Sequence, residues 1–482
     1  MSPVVRFRFP IAQCLLTSCL LTSLVGCAVL PEPTGAQVQA QALGRTVIPP
    51  NWSATASAAQ VDEGWLASFN DPVLTQLVHE ALANNPDLHM AAARLEQANA
   101  QVDIAQARLK PSIGLLTRGG SKPVADMVPL LSGAMLRLSW EIDLWGGMRY
   151  GRNAARAARD ATSAEYRYAQ QSLAASVARA WFLASETRQQ RELATEMVQS
   201  AQTLLQLTEQ RKRVGAGSDS DVIAARIDLS SYQDAQQQIE LAHRQALRAL
   251  ELLLGRYPGA DHAASATLTP FPGPVPAGIP MDVLNRRPDM LAAERRVAAA
   301  FDKIGEARAA MLPTLSLSAG YGRLSNEVLE TRDNLERRVS SITGTVAAPL
   351  YTGGALTGQV ALRTAEQKEA VADYARRALI ALGEVEGALN AERILGERER
   401  ILNDAVLASR EVTRLEQTAY RVGKSDLRAV NQRQLATGAA EVALLAVRRE
   451  RLSRRVDLHL ALGGSFDGRT AASEASDPMR PL

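Results

Sequence analysis

Few side chains in this sequence could act as nucleophiles or soft ligands, and their placement narrows the chemistry at once. The cysteines Cys14, Cys19 and Cys27 all fall in the first thirty residues, which excludes a disulfide framework and an internal cysteine metal site. The histidines His79, His89, His243, His262 and His459 are scattered, with no pair at helical i,i+4 spacing. No paired Ser/His/Asp arrangement, phosphate-cradling loop or cofactor fingerprint occurs. Arg213-Val214-Gly215-Ala216-Gly217 contains glycines but follows a helical stretch, so it reads as a turn. No catalytic residue, no metal and no cofactor are expected, and the chain reads as something other than an enzyme.

One cysteine has a chemistry that its neighbours define. Arg6 and Arg8 precede an apolar run from Ile11 to Val25, too short to span a membrane comfortably and of the size of a signal-peptide core. The run ends in Leu24-Val25-Gly26-Cys27, which looks like a bacterial lipobox. In such a box the Cys27 thiol takes a diacylglycerol, small Gly26 admits the peptidase, and the freed amine of Cys27 is then N-acylated. Residues 1–26 would be removed, taking Cys14 and Cys19 with them. Three acyl chains exceed the roughly two signals needed for stable anchoring. Ala28, where an aspartate would retain such a protein, favours delivery to the outer membrane by resemblance to lipoprotein sorting. The alternative is an ordinary signal peptide with an incidental cysteine.

Hydrophobic residues make up 46% of the 482, yet aromatics only 4%, a balance suited to long, closely packed helices. Charge is nearly even, 54 basic against 51 acidic residues, with no Lys/Arg block, so no nucleic-acid partner is expected. The chain also repeats itself. Asn84-Asn85-Pro86-Asp87-Leu88 returns as Arg286-Arg287-Pro288-Asp289-Met290, and Leu109-Lys110-Pro111-Ser112 as Leu312-Pro313-Thr314. Arg213-Val214-Gly215 returns as Arg421-Val422-Gly423, and Leu254-Gly255 as Leu462-Gly463. Each copy reads helix, two strands, very long helix, turn, helix.

The opening helices are expected over Val73–Arg108 and Met281–Ala310. Leu136, Leu138, Trp140, Ile142 and Leu144 alternate with polar residues, as period two demands of a strand with one apolar face. Ile113 and Leu115 begin its partner. In copy two Leu315, Leu317, Ala319 and Tyr321 alternate, as do Ile342, Gly344, Val346, Ala348 and Leu350. Four membrane-length strands cannot close a barrel, and an open edge is forbidden in lipid. Three chains would supply twelve, an allowed even number, so the strand count itself argues for a homotrimer.

The long helices are expected over Arg149–Arg211 and Leu356–Tyr420, roughly 90–100 Å each at 1.5 Å per residue. On the returning helix of copy one a heptad seam of Ala225, Tyr232, Ile239, Ala246 and Leu253 is read with interleaved Ala235, Ala242 and Ala249. Between these helices lie the turns. Gly215 suits a left-handed turn and Ser218 a helix cap. The turn of copy two, Arg421-Val422-Gly423-Lys424-Ser425-Asp426-Leu427, reads one residue tighter.

Trp65-Leu66-Ala67-Ser68-Phe69-Asn70-Asp71-Pro72-Val73-Leu74, followed by Ala81 to Leu88, resembles the opening of outer-membrane efflux proteins, the TolC family, nearest its NodT-like lipoprotein branch. The resemblance runs from about Trp52 to Gly464, duplicated and in order. It implies a mainly α fold with membrane β: a trimeric 12-stranded outer-membrane β-barrel, four strands per chain, continuous with a long periplasmic α-helical barrel. It divides the chain into a signal peptide (1–26), a lipidated segment and equatorial belt (27–72), repeat 1 (73–255), a proline-rich connector (256–280), repeat 2 (281–464) and a tail (465–482). A flexible linker is the other reading of that connector. Gly119–Ser132 and Arg323–Ser340 would be extracellular loops.

The resemblance further implies that the turns form a periplasmic tip, where the duct is gated and an adaptor docks. The tip residues are Arg213, Val214, Gly215, Ser218, Asp219 and Asp221 in copy one, with Arg421, Val422, Gly423, Lys424, Ser425 and Asp426 in copy two. Ala429, Asn431 and Gln432 stand where relatives often carry aspartates, so the resemblance supplies no acidic ring there. The implied function is the passive, gated outer-membrane exit of a tripartite efflux system in a Gram-negative cell. Its partners would be a periplasmic adaptor, an inner-membrane pump and outer-membrane lipid. Open alternatives are the exit duct of a type I protein-secretion system, metal-ion efflux, and, from another class, a periplasmic adaptor lipoprotein.

Overall fold

The computed structural model describes residues 29–54, 61, 63–118, 132–325 and 337–467. Cys27, the signal segment and nearly all of the tail lie outside the described residues. Nine α-helices are described: α1 (Gly35–Leu43), α2 (Pro72–Asn84), α3 (Pro86–Ala107), α4 (Gly147–Arg213), α5 (Asp219–Leu253), α6 (Pro280–Arg286), α7 (Pro288–Ala309), α8 (Ala355–Arg421) and α9 (Leu427–Ala461). Four strands accompany them: β1 (Ser112–Arg118), β2 (Ser132–Ile142), β3 (Thr314–Ser325) and β4 (Arg337–Ala347). One compact unit gathers the described residues up to Arg45 with Arg94–Ser163 and Ala292–Ala375, and the other gathers the remainder.

The repeat is close to quantitative. Helices α4 and α8 have 67 residues each, and α5 and α9 have 35 each. Each expected opening helix is instead two, α2–α3 and α6–α7. The proline that follows forces its predecessor out of the helical region, so Asn85 adopts ψ 123° and Arg287 ψ 126°. The break has a use. Asn85 Nδ2 donates to Leu253 O at 2.9 Å, and its Oδ1 accepts from the Leu88 amide at 3.1 Å, capping α3. In copy two Arg287 Nη1 donates to the equivalent carbonyl, Ala461 O, at 3.2 Å. Gly255 lies against the same junction, where an added Cβ would meet Asn84 O at 2.5 Å. The sequence marks that reveal the repeat are therefore residues that touch in each copy.

Arg287 carries a charge where Asn85 carries none. It is 2% exposed, and its guanidinium is satisfied by Asp289 at 2.8 Å and Glu384 at 2.6 Å. Around these junctions the second unit packs Trp65, Phe69, Leu74, Val78, Trp181, Phe182, Leu250 and Val456 against the fully buried Ala174, Ala175 and Ala178. The alanines let helix backbones approach closely.

On α5 the seam differs from expectation in one of its two rows. Ala225 and Ala246 are buried and Tyr232, Ile239 and Leu253 half-buried, but Ala235, Ala242 and Ala249 face outward. The alternate positions are Val222, Leu229, Gln236, His243 and Leu250, which restore the three–four spacing of a heptad. Two of them are polar and packed against α4: Gln236 Nε2 donates to Thr195 Oγ1 at 3.1 Å, and His243 Nδ1 lies 3.0 Å from Thr187 Oγ1.

The proline-rich connector is a strap rather than a linker. Glu251 is 3% exposed, and its carboxylate accepts from the amides of Ala260, Asp261 and His262 at 2.7, 2.8 and 3.1 Å. Burial alone would raise the Glu251 pKa, but those three donors hold it below the ordinary range. Farther along, Trp52 Nε1 donates to Ala277 O and Gly278 O. Phe271 lies beneath the guanidinium groups of Arg451 and Arg455, 3.6 and 4.3 Å from the ring centre.

Candidate functional site

The strands form one antiparallel sheet in the order β1-β2-β3-β4. Asp143 ends β2 by turning the chain into α4, its carboxylate accepting from the amides of Met148 and Arg149 at 3.1 Å. Leu144 therefore lies beyond the strand, and Ala348 and Leu350 lie beyond β4. Strand β3 reaches Ser325 and β4 starts at Arg337, so the second inter-strand segment is shorter than expected. Its arginines still obey the ladder. The intervening 119–131 and 326–336 lie outside the described residues.

The register fixes two faces. Ile113, Leu138, Ala319 and Ile342 are aligned across all four strands, and so are Leu115, Leu136, Tyr321 and Ser340. Ile113 is 73% and Ile342 88% exposed, an apolar surface that water does not favour. The opposite face carries Arg137, Ser139, Glu141, Ser316, Ser318 and Thr343. Among the described residues β1 and β4 are the edges of the sheet, each pairing on one side. Trp140 and Trp145 mark the helical end, their indoles donating to Leu109 O and Pro313 O at 3.1 and 2.6 Å.

The two helical turns lie in the second unit. They are equal in length, from Arg213 to Asp219 and from Arg421 to Leu427, so copy two is not tighter. Each follows the Schellman pattern. Ala216 N donates to Arg211 O and Lys424 N to Ala419 O, both at 2.8 Å, while Gly215 and Gly423 adopt φ 76° and 75°. No atom obstructs a Cβ at either glycine, so the positive φ alone requires it.

Equal length places Asp426, not Ser425, opposite Ser218. Ser218 caps α5 in a reciprocal box: its hydroxyl accepts from the Asp221 amide at 3.2 Å, and Asp221 accepts from the Ser218 amide at 3.1 Å. Asp426 caps α9 by accepting from the Ala429 amide at 2.8 Å. Ser425 reaches Glu416, and Lys212 pairs with Asp219. The Ser218 hydroxyl and amide hold the Asp221 carboxyl below its ordinary range, helped by Arg428 and Arg211. Arg428, on the other hairpin and not flagged by the sequence, supplies a smaller part of this through its charge. Arg213, Arg421 and Lys424 are exposed, as are Val214 at 78% and Val422 at 65%.

Asn431 is also buried here, donating to Asp228 on α5 at 3.4 Å. Burial and the Asp228 charge push the nearby Tyr232 hydroxyl up to about 12. A polar seam thus lies behind the turns.

The family model for outer membrane efflux proteins matches this chain twice, over residues 77–256 and 279–464. The pyoverdine export outer membrane protein OpmQ of Pseudomonas putida is 31% identical, the match covering 93% of this chain and 97% of the relative. The antibiotic efflux pump outer membrane protein ArpC of Pseudomonas putida is 30% identical over 92% of this chain and 93% of its own. In fold the chain is like the CmeC outer membrane channel of Campylobacter jejuni, with a TM-score of 0.82 over 90% of this chain and 98% of that one, at 23% identity. With both repeats matched by one family model and nearly the whole chain aligned to such relatives, this protein belongs to the outer membrane efflux protein family.

Proposed function

We propose that this protein is the outer-membrane exit duct of a tripartite efflux system, working as a homotrimer with a periplasmic adaptor and an inner-membrane pump. The observation that carries the reading is the sheet: four strands, one apolar and one polar face, and two open edges on a chain whose repeats end in long helical hairpins. Three copies would supply twelve strands and leave no edge in lipid. The duct contributes conduction and gating, and the pump supplies the energy and chooses the small-molecule cargo.

The turns are assigned to the gate and to adaptor docking. Val214 and Val422 offer matching apolar contacts. Asp221 facing Arg428, together with the Lys212–Asp219 pair, would hold the closed state. Asparagine caps helices about as well as aspartate at position 426, and at position 221 its Oδ1 can still accept from the Ser218 amide, so Asp221→Asn with Asp426→Asn removes charge while keeping both helix starts. In planar bilayers the full-length protein is expected to form channels, and the double variant to show raised single-channel conductance. Channels of unchanged conductance would sink the gate assignment alone. A stable, non-conducting monomer would sink the duct.

Cys27 is assigned the lipid anchor, an S-diacylglycerol with an N-acyl chain. Cys27→Ser is expected to abolish labelled palmitate incorporation, while membrane insertion persists through the strands. A mature chain beginning at an unmodified Cys27 would refute the anchor.

A further inference from the structure

One row of the polar face of the sheet differs from its neighbours. Leu116, Met135, Gly322 and Val339 are aligned across the four strands, on the face that otherwise carries Arg137, Ser139, Glu141, Ser316, Ser318 and Thr343. Leu116 is 56% exposed. The Met135 side chain lies across β3, its sulfur 3.2 Å from where a Cβ on Gly320 would stand and its Cβ 2.9 Å from one on Gly322. Two glycines thus make room for the methionine, and the apolar row stays low on the sheet.

The next row toward the helical end holds Gly114, Arg137, Gly320 and Ser341. Arg137 is exposed, with a glycine opposite it on either strand, and a Cβ on Gly114 would meet nothing within 4 Å. Among the described residues its guanidinium has no hydrogen-bond or ion-pair partner. The row beyond is hydroxyl throughout, Ser112, Ser139, Ser318 and Thr343. A charged group rich in donors therefore stands between an apolar row and a row of hydroxyls.

Closure gives this row its effect. Twelve strands spaced about 4.8 Å apart and tilted ~40° enclose a cylinder roughly 24 Å across, so the wall stands about 12 Å from the axis. An arginine reaching inward by several ångströms brings its charge within the ~8 Å Debye length of that axis, and three copies form one positive ring. Glu141 shares the face but lies four positions along β2, roughly 10 Å nearer the helices and outside that screening distance.

Rings of arginine favour anions, and an apolar strip beside one favours an anion with an apolar body. We propose that Arg137 is a specificity-determining residue of the duct, its guanidinium receiving the acidic group of an amphipathic organic anion. The hydroxyls of Ser139 and Ser318 lie on one side of that group, and Leu116, Met135 and Val339 receive the apolar part on the other. The assignment rests on the barrel reading above, which turns this face toward the lumen.

The test is current block of the full-length protein in planar bilayers by 2-naphthoate and by 2-naphthylmethylammonium, each added to both sides. Wild type is expected to be half-blocked at a concentration about tenfold lower for the anion. Arg137→Gln should raise the 2-naphthoate value about tenfold and lower the chloride-to-potassium permeability ratio. Arg137→Lys, which keeps the charge and loses the planar fork, should keep the ratio and recover part of the block. Leu116→Ser with Met135→Ser should weaken 2-naphthoate block and leave the ratio unchanged, separating the apolar row from the charge. Equal block of wild type by the two probes, or equal 2-naphthoate block of wild type and Arg137→Gln, overturns the site; if only Arg137→Lys assembles, unchanged block in that variant overturns it. A wild type that neither oligomerises nor conducts overturns the barrel reading, and the site with it.

Discussion

Arg455→Ala is expected to lower stability by about 3–5 kcal/mol, because removing one member of a buried ion pair leaves the other charge uncompensated. Arg455 has 0% exposure. Its Nε donates to Glu392 at 3.0 Å, a second nitrogen reaches the other carboxylate oxygen, and a third donates to Gly273 O on the connector. The guanidinium also covers Phe271, so one side chain ties α9 to α8 and to the strap. His459 lies one turn away, buried and stacked on Trp65 with ring centres 5.8 Å apart. Burial and the Arg455 charge push its imidazole down to about 3. Losing Arg455 therefore strands Glu392 and frees the strap together. The thermal midpoint should fall accordingly. Arg455→Lys should recover only part, since an ammonium cannot serve the carboxylate bidentately and Gly273 as well. An unchanged thermal midpoint would refute this role.

The long elements were legible in the sequence because they rest on periodicity. Alternation located the strands within a few residues, and the repeated marks located both hairpins. The departures have physical causes. Pro86 and Pro288 were visible, but a proline at the first position of a new helix and a proline ending an old one are the same letter. The second row of the α5 seam was missed because Gln236 and His243 read as surface residues until Thr195 and Thr187 are seen opposite them. The second turn reads one residue tighter in sequence, whereas the geometry aligns the caps: Asp426 takes the cap that Ser218 holds in copy one. Arg428 could not be found locally, because its relation to Asp221 exists only once two hairpins lie together.

Asp302→Asn is expected to stabilise the protein above neutral pH and to leave it unchanged in acid. Asp302 on α7 has 0% exposure, and neither carboxylate oxygen receives a hydrogen bond from the described residues. The groups that face it are Glu32 and Arg152. Glu32 belongs to the N-terminal stretch whose Leu30 amide donates to Tyr150 Oη at 2.9 Å, and Arg295 lies 3.8 Å from Glu32. Burial, then the Glu32 charge, push the Asp302 carboxyl from 3.8 up to about 7, with Arg152 opposing. The folded chain thus holds a proton that the unfolded chain releases, so between about pH 4 and 7 stability falls as pH rises. The full gap would correspond to about 4 kcal/mol, and about 2–4 kcal/mol is expected. His459 has the opposite sign: its depressed pKa contributes stability above its unfolded value of 6.5 that is lost as pH falls toward about 3. The two slopes partly cancel in wild type, so the difference between wild type and Asp302→Asn isolates the carboxyl. Unfolding midpoints measured at about pH 4, 6 and 8 should converge in acid and separate at pH 8. Glu32→Gln, which removes the like charge, should end the wild-type loss at a lower pH and shrink it, the onset near pH 4 being fixed by the unfolded chain. Parallel curves for wild type and Asp302→Asn would show that the carboxyl titrates alike in both states, and the buried, protonated Asp302 would have to be given up.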